Sequence, residues 1–229
     1  MLVVFSAGVA PGLALLSYFY LRDQFEQEPI ITVCKTFLMG VLITFPIMFL
    51  QYVMSTEGII QGGFLNAFVS AALLEEFFKW FVLFLAIYKH AEFDEPFDGI
   101  VYGASISLGF ATVENILYLA VNGVGFALGR ALLPVSSHAL FGVIMGYYLG
   151  KAKFQNKKSQ KRWLFYSFLV PFILHGLYDF ILVSEKNWIY YILPFMLFLW
   201  WLGLRKVKHA HMLTQGLYKN NIQDKNASI

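Results

Sequence analysis

Charge is scarce in this sequence. Only 14% of its 229 residues are Asp, Glu, Lys or Arg, where a soluble domain carries about 25%. That deficit excludes an ordinary soluble domain. Together with 59% hydrophobic residues and 24 phenylalanines it marks an integral membrane protein. Cysteine is nearly absent: the lone Cys34 excludes an intrachain disulfide and leaves the redox compartment open. The first apolar run has no basic stretch before it and no A-x-A cleavage site, and its first positive charge, Arg22, comes after it. It therefore reads as a retained first helix with its amino end outside, not as a cleaved leader. The net charge of +3 is too small to support nucleic-acid binding. No internal repeat or low-complexity tract is present.

What the sequence does have is long apolar runs. A spanning helix needs about 20 mainly apolar residues. Seven runs qualify, at roughly 1–21, 31–54, 63–88, 99–121, 127–149, 163–183 and 188–204, the last the shortest. The expected fold is an all-α polytopic transmembrane bundle of about seven spans. Residues 1–204 form the membrane domain, and 205–229 form a polar, flexible cytoplasmic tail whose His209 and His211 sit in solvent. With the amino end outside and the carboxyl end inside, 14 of the 17 Lys and Arg fall on the cytoplasmic side, Arg130 and Lys186 outside, and Lys79 within a span. That asymmetry follows the positive-inside rule.

Three ionisable groups interrupt the third run, in AALLEEFFKWFVLF at 71–84. Each costs about 2.5–3.5 kcal/mol at mid-bilayer, roughly 9 together. The 14 Leu, Ile, Val and Phe residues between 64 and 87 return only about 6 kcal/mol, at about 0.3–0.6 each. Lys79 lies one turn from both Glu75 and Glu76 and can neutralise only one of them. The other carboxylate needs a partner from another helix. Candidates are Glu114 and Asn115 in the fourth run, His138 in the fifth, and His175 with Asp179, an i, i+4 pair sharing one face, in the sixth. Counted from the run ends at about 1.5 Å per residue, Glu75, Glu114, His138 and His175 lie roughly 10–18 Å below the outer surface. Arg130 reads as a snorkelling residue, and Asn115 as an interhelical hydrogen bond. Gly99, Gly103 and Gly109 read as close helix packing. Pro171, one turn before His175, is a place where freed backbone could admit a substrate strand.

Carboxylates and imidazoles sharing one layer suit two classes of function. In hydrolysis, a desolvated Glu acts as general base on water. A His serves the oxyanion or the leaving amine, and an Asp orients that His. In ion or proton translocation the same residue types form a relay. A noncatalytic scaffold or immunity-type protein is a third possibility. A two-His, one-carboxylate zinc set of Glu75, His138 and His175, with Glu76 or Glu114 as base, also stays open, although H-E-x-x-H is missing.

Three motifs carry a family resemblance. EEFFK at 75–79 resembles the E-E-x-x-K motif of the PrsW intramembrane proteases, FATVE at 110–114 their F-x-x-x-E motif, and HGLYD at 175–179 their H-x-x-x-D motif. The stretch PGLALLSYFYLRDQFEQEP at 11–29 is similar to their amino-terminal end. The family is in turn similar to the CAAX prenyl endopeptidases and bacteriocin-processing proteins. Those carry E-E-x-x-x-R and F-x-x-x-H where this chain has EEFFK and FATVE. The resemblance implies a glutamic-type endopeptidase of the bacterial cell membrane, without cofactor or metal. It implies cleavage of a membrane-anchored anti-sigma factor near the outer face of the bilayer, in a regulated signalling cascade. Glu75 or Glu76 would activate water. His175 would serve the oxyanion or leaving nitrogen, with Lys79, Glu114, His138 and Asp179 supporting.

Overall fold

In hydrocarbon every backbone N–H and C=O must be satisfied within the chain, so an apolar sequence without barrel alternation folds as helices. The structure, a computed structural model, describes residues 1–184 and 186–227, and these form seven helical rods with no strand among them. They are α1 (Leu2–Tyr20), α2 (Ile30–Thr56), α3 (63–86), α4 (Asp98–Asn122), α5 (Val124–Lys153), α6 (Lys157–Ser184) and α7 (Trp188–Ala227). Six are long and apolar enough to cross a membrane. The seventh, α3, is assembled from Gly63–Leu65, a π-helical stretch Asn66–Leu73, and Leu74–Ala86.

The core is made by α4 and α5, which pack on each other. Helices α1 and α2 flank α4, α6 and α7 flank α5, and α3 lies against α6 and α2. In α4 and α5 most of the apolar window is buried within the protein, 61% and 78%, against 17% in α1 and 22% in α7. The outer helices turn Leu2, Leu42, Phe45, Phe49 and Leu197 outward, the face a lipid-bathed bundle presents.

Small residues permit the central contact. A Cβ added at Gly103 would collide with the Gly142 carbonyl oxygen, and one added at Gly109 with the carbonyl of Phe37 in α2. Ser105 and Ser107 fill the same seam by donating to backbone carbonyls of Val33 (2.7 Å) and His138 (2.7 Å). Backbones in contact across small residues are the usual packing mode where no hydrophobic effect drives helices together.

Two expectations need correction. The seventh run does not stop at 204: α7 is a 40-residue helix, the longest of the seven. Hydropathy fades after Trp201, but Gly203, Val207, Ala210 and Thr214 recur on one face and are buried, so packing carries the helix on. Residues 205–227, expected to be flexible, are therefore helical, and residues 228–229 lie outside the described residues. Nor is His211 left in solvent. Its ring stacks on Phe97 with centroids 4.3 Å apart, and its Nε2 donates to the Arg22 carbonyl at 2.7 Å. Pro171 lies inside α6, which runs through it as continuous helix.

The seam makes a contrast that can be measured. Gly103→Val should lower the thermal midpoint in detergent by about 5 °C or more, the effect of about 1–3 kcal/mol of overpacking. Gly125→Val, where no atom lies within 4 Å of the added Cβ, should leave it nearly unchanged.

Candidate active site

The two π-helical stretches stand directly before the polar residues. Asn66–Leu73 leads into Glu75 and Glu76, and Ala131–Val135, which contains Pro134, leads into Ser136–His138. A π turn inserts an extra residue into the helical repeat and so rotates the face that follows it. At Pro134 the backbone already lacks an N–H, so the altered register abandons one fewer hydrogen bond. The result is that Glu75 and Glu76, adjacent in sequence and about 100° apart around the axis, are both buried against α5 and α6, at 4% and 0% exposure.

All seven residues singled out from the sequence join one network. Lys79 Nζ donates to Glu76 Oε1 at 2.7 Å and lies 3.3 Å from His138 Nδ1 and 3.7 Å from Glu75 Oε2. An ammonium has only donors, so His138 Nδ1 accepts. The ring proton then sits on Nε2, which faces Glu114 Oε2 at 3.1 Å. His175 places Nδ1 2.9 Å from Glu76 Oε1 and Nε2 3.2 Å from Asp179 Oδ2. Both contacts are hydrogen bonds when the ring carries both protons. The expected Asp179–His175 pair is thus present, and Glu76 completes it on the other side of the ring.

Aromatic faces wall the network. Phe141 stacks on His175 with centroids 5.0 Å apart, and the His138 ring meets His175 edge-on at 5.0 Å. Lys79 Nζ lies 4.4 Å from the centre of the Phe110 ring, a cation–π contact. One turn along α3, Trp80 Nε1 donates to Ser167 Oγ of α6 at 2.8 Å, which holds the two helices in register.

Glu75 and Glu76 differ in their partners. Glu76 Oε1 is shared by Lys79 and His175, and the residue is fully buried. Glu75 Oε1 accepts from Gln51 Nε2 at 3.0 Å, while its Oε2 has no hydrogen-bond partner among the described residues and lies 3.8 Å from His175 Nε2. Glu114, with its side chain 24% exposed, separates the network from an open cavity of about 340 Å³, which Met48, Leu117, Tyr118 and Arg130 also line.

The same geometry gathers metal donors. One ligand atom from each of Glu75, Glu76, His138 and His175 falls within 4.8 Å of the others, and Oε2 of both glutamates lacks a hydrogen-bond partner among the described residues. Two imidazoles with carboxylates make a donor set of the catalytic zinc type, so the residues present fit a divalent ion. Lys79 is a resident cation at the same place, in contact with Glu76 and His138.

Two further polar residues make contacts within the bundle. Asn115 Nδ2 donates to the Gly8 carbonyl of α1 at 3.0 Å, the interhelical bond expected for it. Arg130, expected to snorkel, instead turns inward: its Nε donates to Asn115 Oδ1 at 3.0 Å and its guanidinium lies 4.2 Å from the Tyr118 ring centre. Gln51 was not anticipated. It sits near the end of an apolar run, where a polar residue reads as part of the interface, and only the packing of α2 against α3 brings it to Glu75.

Comparison with known proteins identifies the family. The family model described as "PrsW family intramembrane metalloprotease" matches residues 28–202. Proteins named Protease PrsW are similar along nearly the whole chain. The one from Bacillus subtilis is 60% identical over 210 residues, covering 92% of this chain and 96% of its own. That from Geobacillus kaustophilus is 63% identical, covering 92% and 93%. That from Clostridioides difficile is 33% identical over 222 residues, covering 92% and 93%. No solved structure matches the chain. A bundle with buried glutamates, histidines and a lysine in its core, matched by this family over most of its length, belongs to the PrsW family and is a multi-pass bacterial membrane protease.

Proposed function

We propose that this protease cuts a single-span membrane protein close to the outer face of the bilayer, with Glu75 as the base that activates water. The observation that carries this reading is the pairing of an unpartnered carboxylate oxygen, Glu75 Oε2, with His175 Nε2 at 3.8 Å. A base and an acid are thus adjacent on the side away from Glu76. Water bound at Glu75 loses a proton to Oε2 as it adds to the scissile carbonyl. His175, held between Asp179 and Glu76, donates from Nε2 first to the developing oxyanion and then to the leaving nitrogen. Both glutamates keep an Oε2 without a hydrogen-bond partner among the described residues. We assign the base to Glu75 because its Oε2 is the one near His175 Nε2, while Glu76 Oε1 is held by both Lys79 and His175 Nδ1. The work of Glu76 is to hold Lys79 and His175 in place. Gln51 orients Glu75, and the Glu114–His138 pair positions water or substrate at the wall of the open cavity.

Because the family description names a metal, the donor set matters. Glu75, Glu76, His138 and His175 would hold such an ion, which would supply Lewis-acid polarisation of the carbonyl and a more acidic water. Elemental analysis decides the point. One equivalent per chain, absent from His138→Ala, places an ion on these donors. No ion, with activity surviving chelation, leaves the reaction to the side chains alone.

The sidedness of cleavage rests on charge. The site lies toward the bundle end where α1 begins and α6 finishes, while most lysines and arginines lie at the other end. By the positive-inside rule the site end faces outward and the amino terminus is external. Residues 1–204 then form the membrane domain, and the rest of the chain lies on the cytoplasmic side. An anti-sigma factor as substrate, cut to start a signalling cascade, rests on the family resemblance of the three motifs.

Two predictions follow from the assigned roles. With purified protein and a single-span substrate in liposomes, Glu75→Gln and His175→Ala should each lower kcat/KM by about 10²–10⁴-fold, the usual range for general acid–base groups. Cleavage undiminished in both variants would remove these residues from the reaction. Gln51→Leu should lower kcat by about tenfold with KM nearly unchanged, since a hydrogen bond to a charged group contributes about 1.5–3 kcal/mol. A Gln51→Leu enzyme with unaltered kcat would show that Glu75 needs no such orientation.

A further inference from the structure

At the opposite end of the bundle lies a second set of buried carboxylates that the protease chemistry does not use. Asp23 comes from the α1–α2 loop, Glu95 from the α3–α4 loop, and Asp98 from the first turn of α4. One oxygen from each lies within 4.8 Å of the others. Exposure of the three residues is 6%, 1% and 0%. Asp98 Oδ2 is satisfied, accepting the backbone N–H of Asp94 at 2.9 Å and of Glu95 at 2.7 Å. Asp98 Oδ1, Asp23 Oδ2 and both carboxylate oxygens of Glu95 have no hydrogen-bond partner among the described residues.

Nothing cationic on the described residues forms an ion pair with this group. The nearby Lys153 spends its ammonium on the His90 carbonyl, at 3.2 Å, and on the face of Phe93, 4.6 Å from the ring centre. Three desolvated carboxylates without a counter-charge are costly, and Glu95 is the clearest case, a buried acid aimed at two others with no bond of its own. Glu28 adds a fourth carboxylate alongside, accepting a hydrogen bond from the Tyr102 hydroxyl. A cleft of about 70 Å³ lined by Glu26, Glu28, Glu92 and Asp94 opens beside the group, an acidic approach for a cation.

We propose that Asp23, Glu95 and Asp98 bind one hard divalent cation, Mg²⁺ or Ca²⁺, which staples the two loops to the start of α4. An all-oxygen, carboxylate-rich donor set suits these ions, whereas zinc and softer metals favour nitrogen and sulfur. The staple would also fix the far end of α7, because that helix rests on the same loops. His211 stacks on Phe97, next to Asp98, and Tyr218 stacks on Phe25, two residues from Asp23, with centroids 5.2 Å apart.

The test uses the full chain in detergent, freed of metal and titrated with MgCl₂ or CaCl₂ alone, with thermal midpoint and bound-cation stoichiometry as readouts. Wild type should gain about 5 °C at saturating cation. It should also bind one more equivalent than Glu95→Gln, in which that gain is lost. Glu95→Gln keeps the size of the side chain while removing its charge, and it leaves the Glu75–His175 network intact, so any ion bound there cancels in the comparison. The Mg²⁺ and Ca²⁺ arms identify the ion, and a gain with either one supports the site. Three outcomes would overturn it: a wild-type midpoint indifferent to both cations, an unchanged response in Glu95→Gln, or equal stoichiometry in the two proteins.

Discussion

Two neighbouring glutamates inside an apolar bundle persist only where positive charge meets them. Lys79 supplies that charge here, and His175 adds a ring nitrogen, both on Glu76 Oε1 at 2.7 and 2.9 Å. Breaking such a buried pair by removing one partner costs about 3–5 kcal/mol, because the survivor is left as an uncompensated charge. The network therefore constrains the architecture around it. Helix α3 carries charges that lipid would reject, so it must turn them against α5 and α6, and the π stretches before Glu75 and His138 set the faces that meet.

The same constraint divides the labour of the two glutamates. Lys79 and His175 both hold Glu76 through Oε1, whereas Glu75 has its hydrogen bond from Gln51 and keeps its Oε2 near His175 Nε2. A site of this kind is specified by what surrounds the reactive group more than by the group itself. The glycine seam between α4 and α5 belongs to that surrounding structure. Because backbones touch at Gly103 and Gly142, Ser107 reaches the His138 carbonyl and Glu114 reaches the His138 ring.

Helix α4 links the two polar regions of the molecule. It begins at Asp98, within the acidic loop cluster, and carries Glu114 sixteen residues on, about 24 Å along its axis. Since α4 is the most enclosed helix along with α5, it behaves as a rigid strut. Anything that tightens the loops at one end steadies the base of the rod that carries Glu114 into the proposed site at the other.

Helical class, the number of rods and the identity of the ionisable residues were legible in the sequence, because lipid enforces long apolar runs and makes every interruption conspicuous. Glu75, Glu76, Lys79, Glu114, His138, His175 and Asp179 stood out for that reason. The extent of α7 was not legible, because its last turns are held by packing of Val207, Ala210 and Thr214 rather than by hydropathy. Gln51, the inward turn of Arg130 and the carboxylates at 23, 95 and 98 were equally hidden. Each looks like an ordinary interface or loop residue until distant segments close around it. Sequence alone determined which charges enter the membrane, since that depends on composition within a single span. Only the tertiary structure decided which oxygen is left free beside which imidazole, since that depends on contacts between helices far apart along the chain.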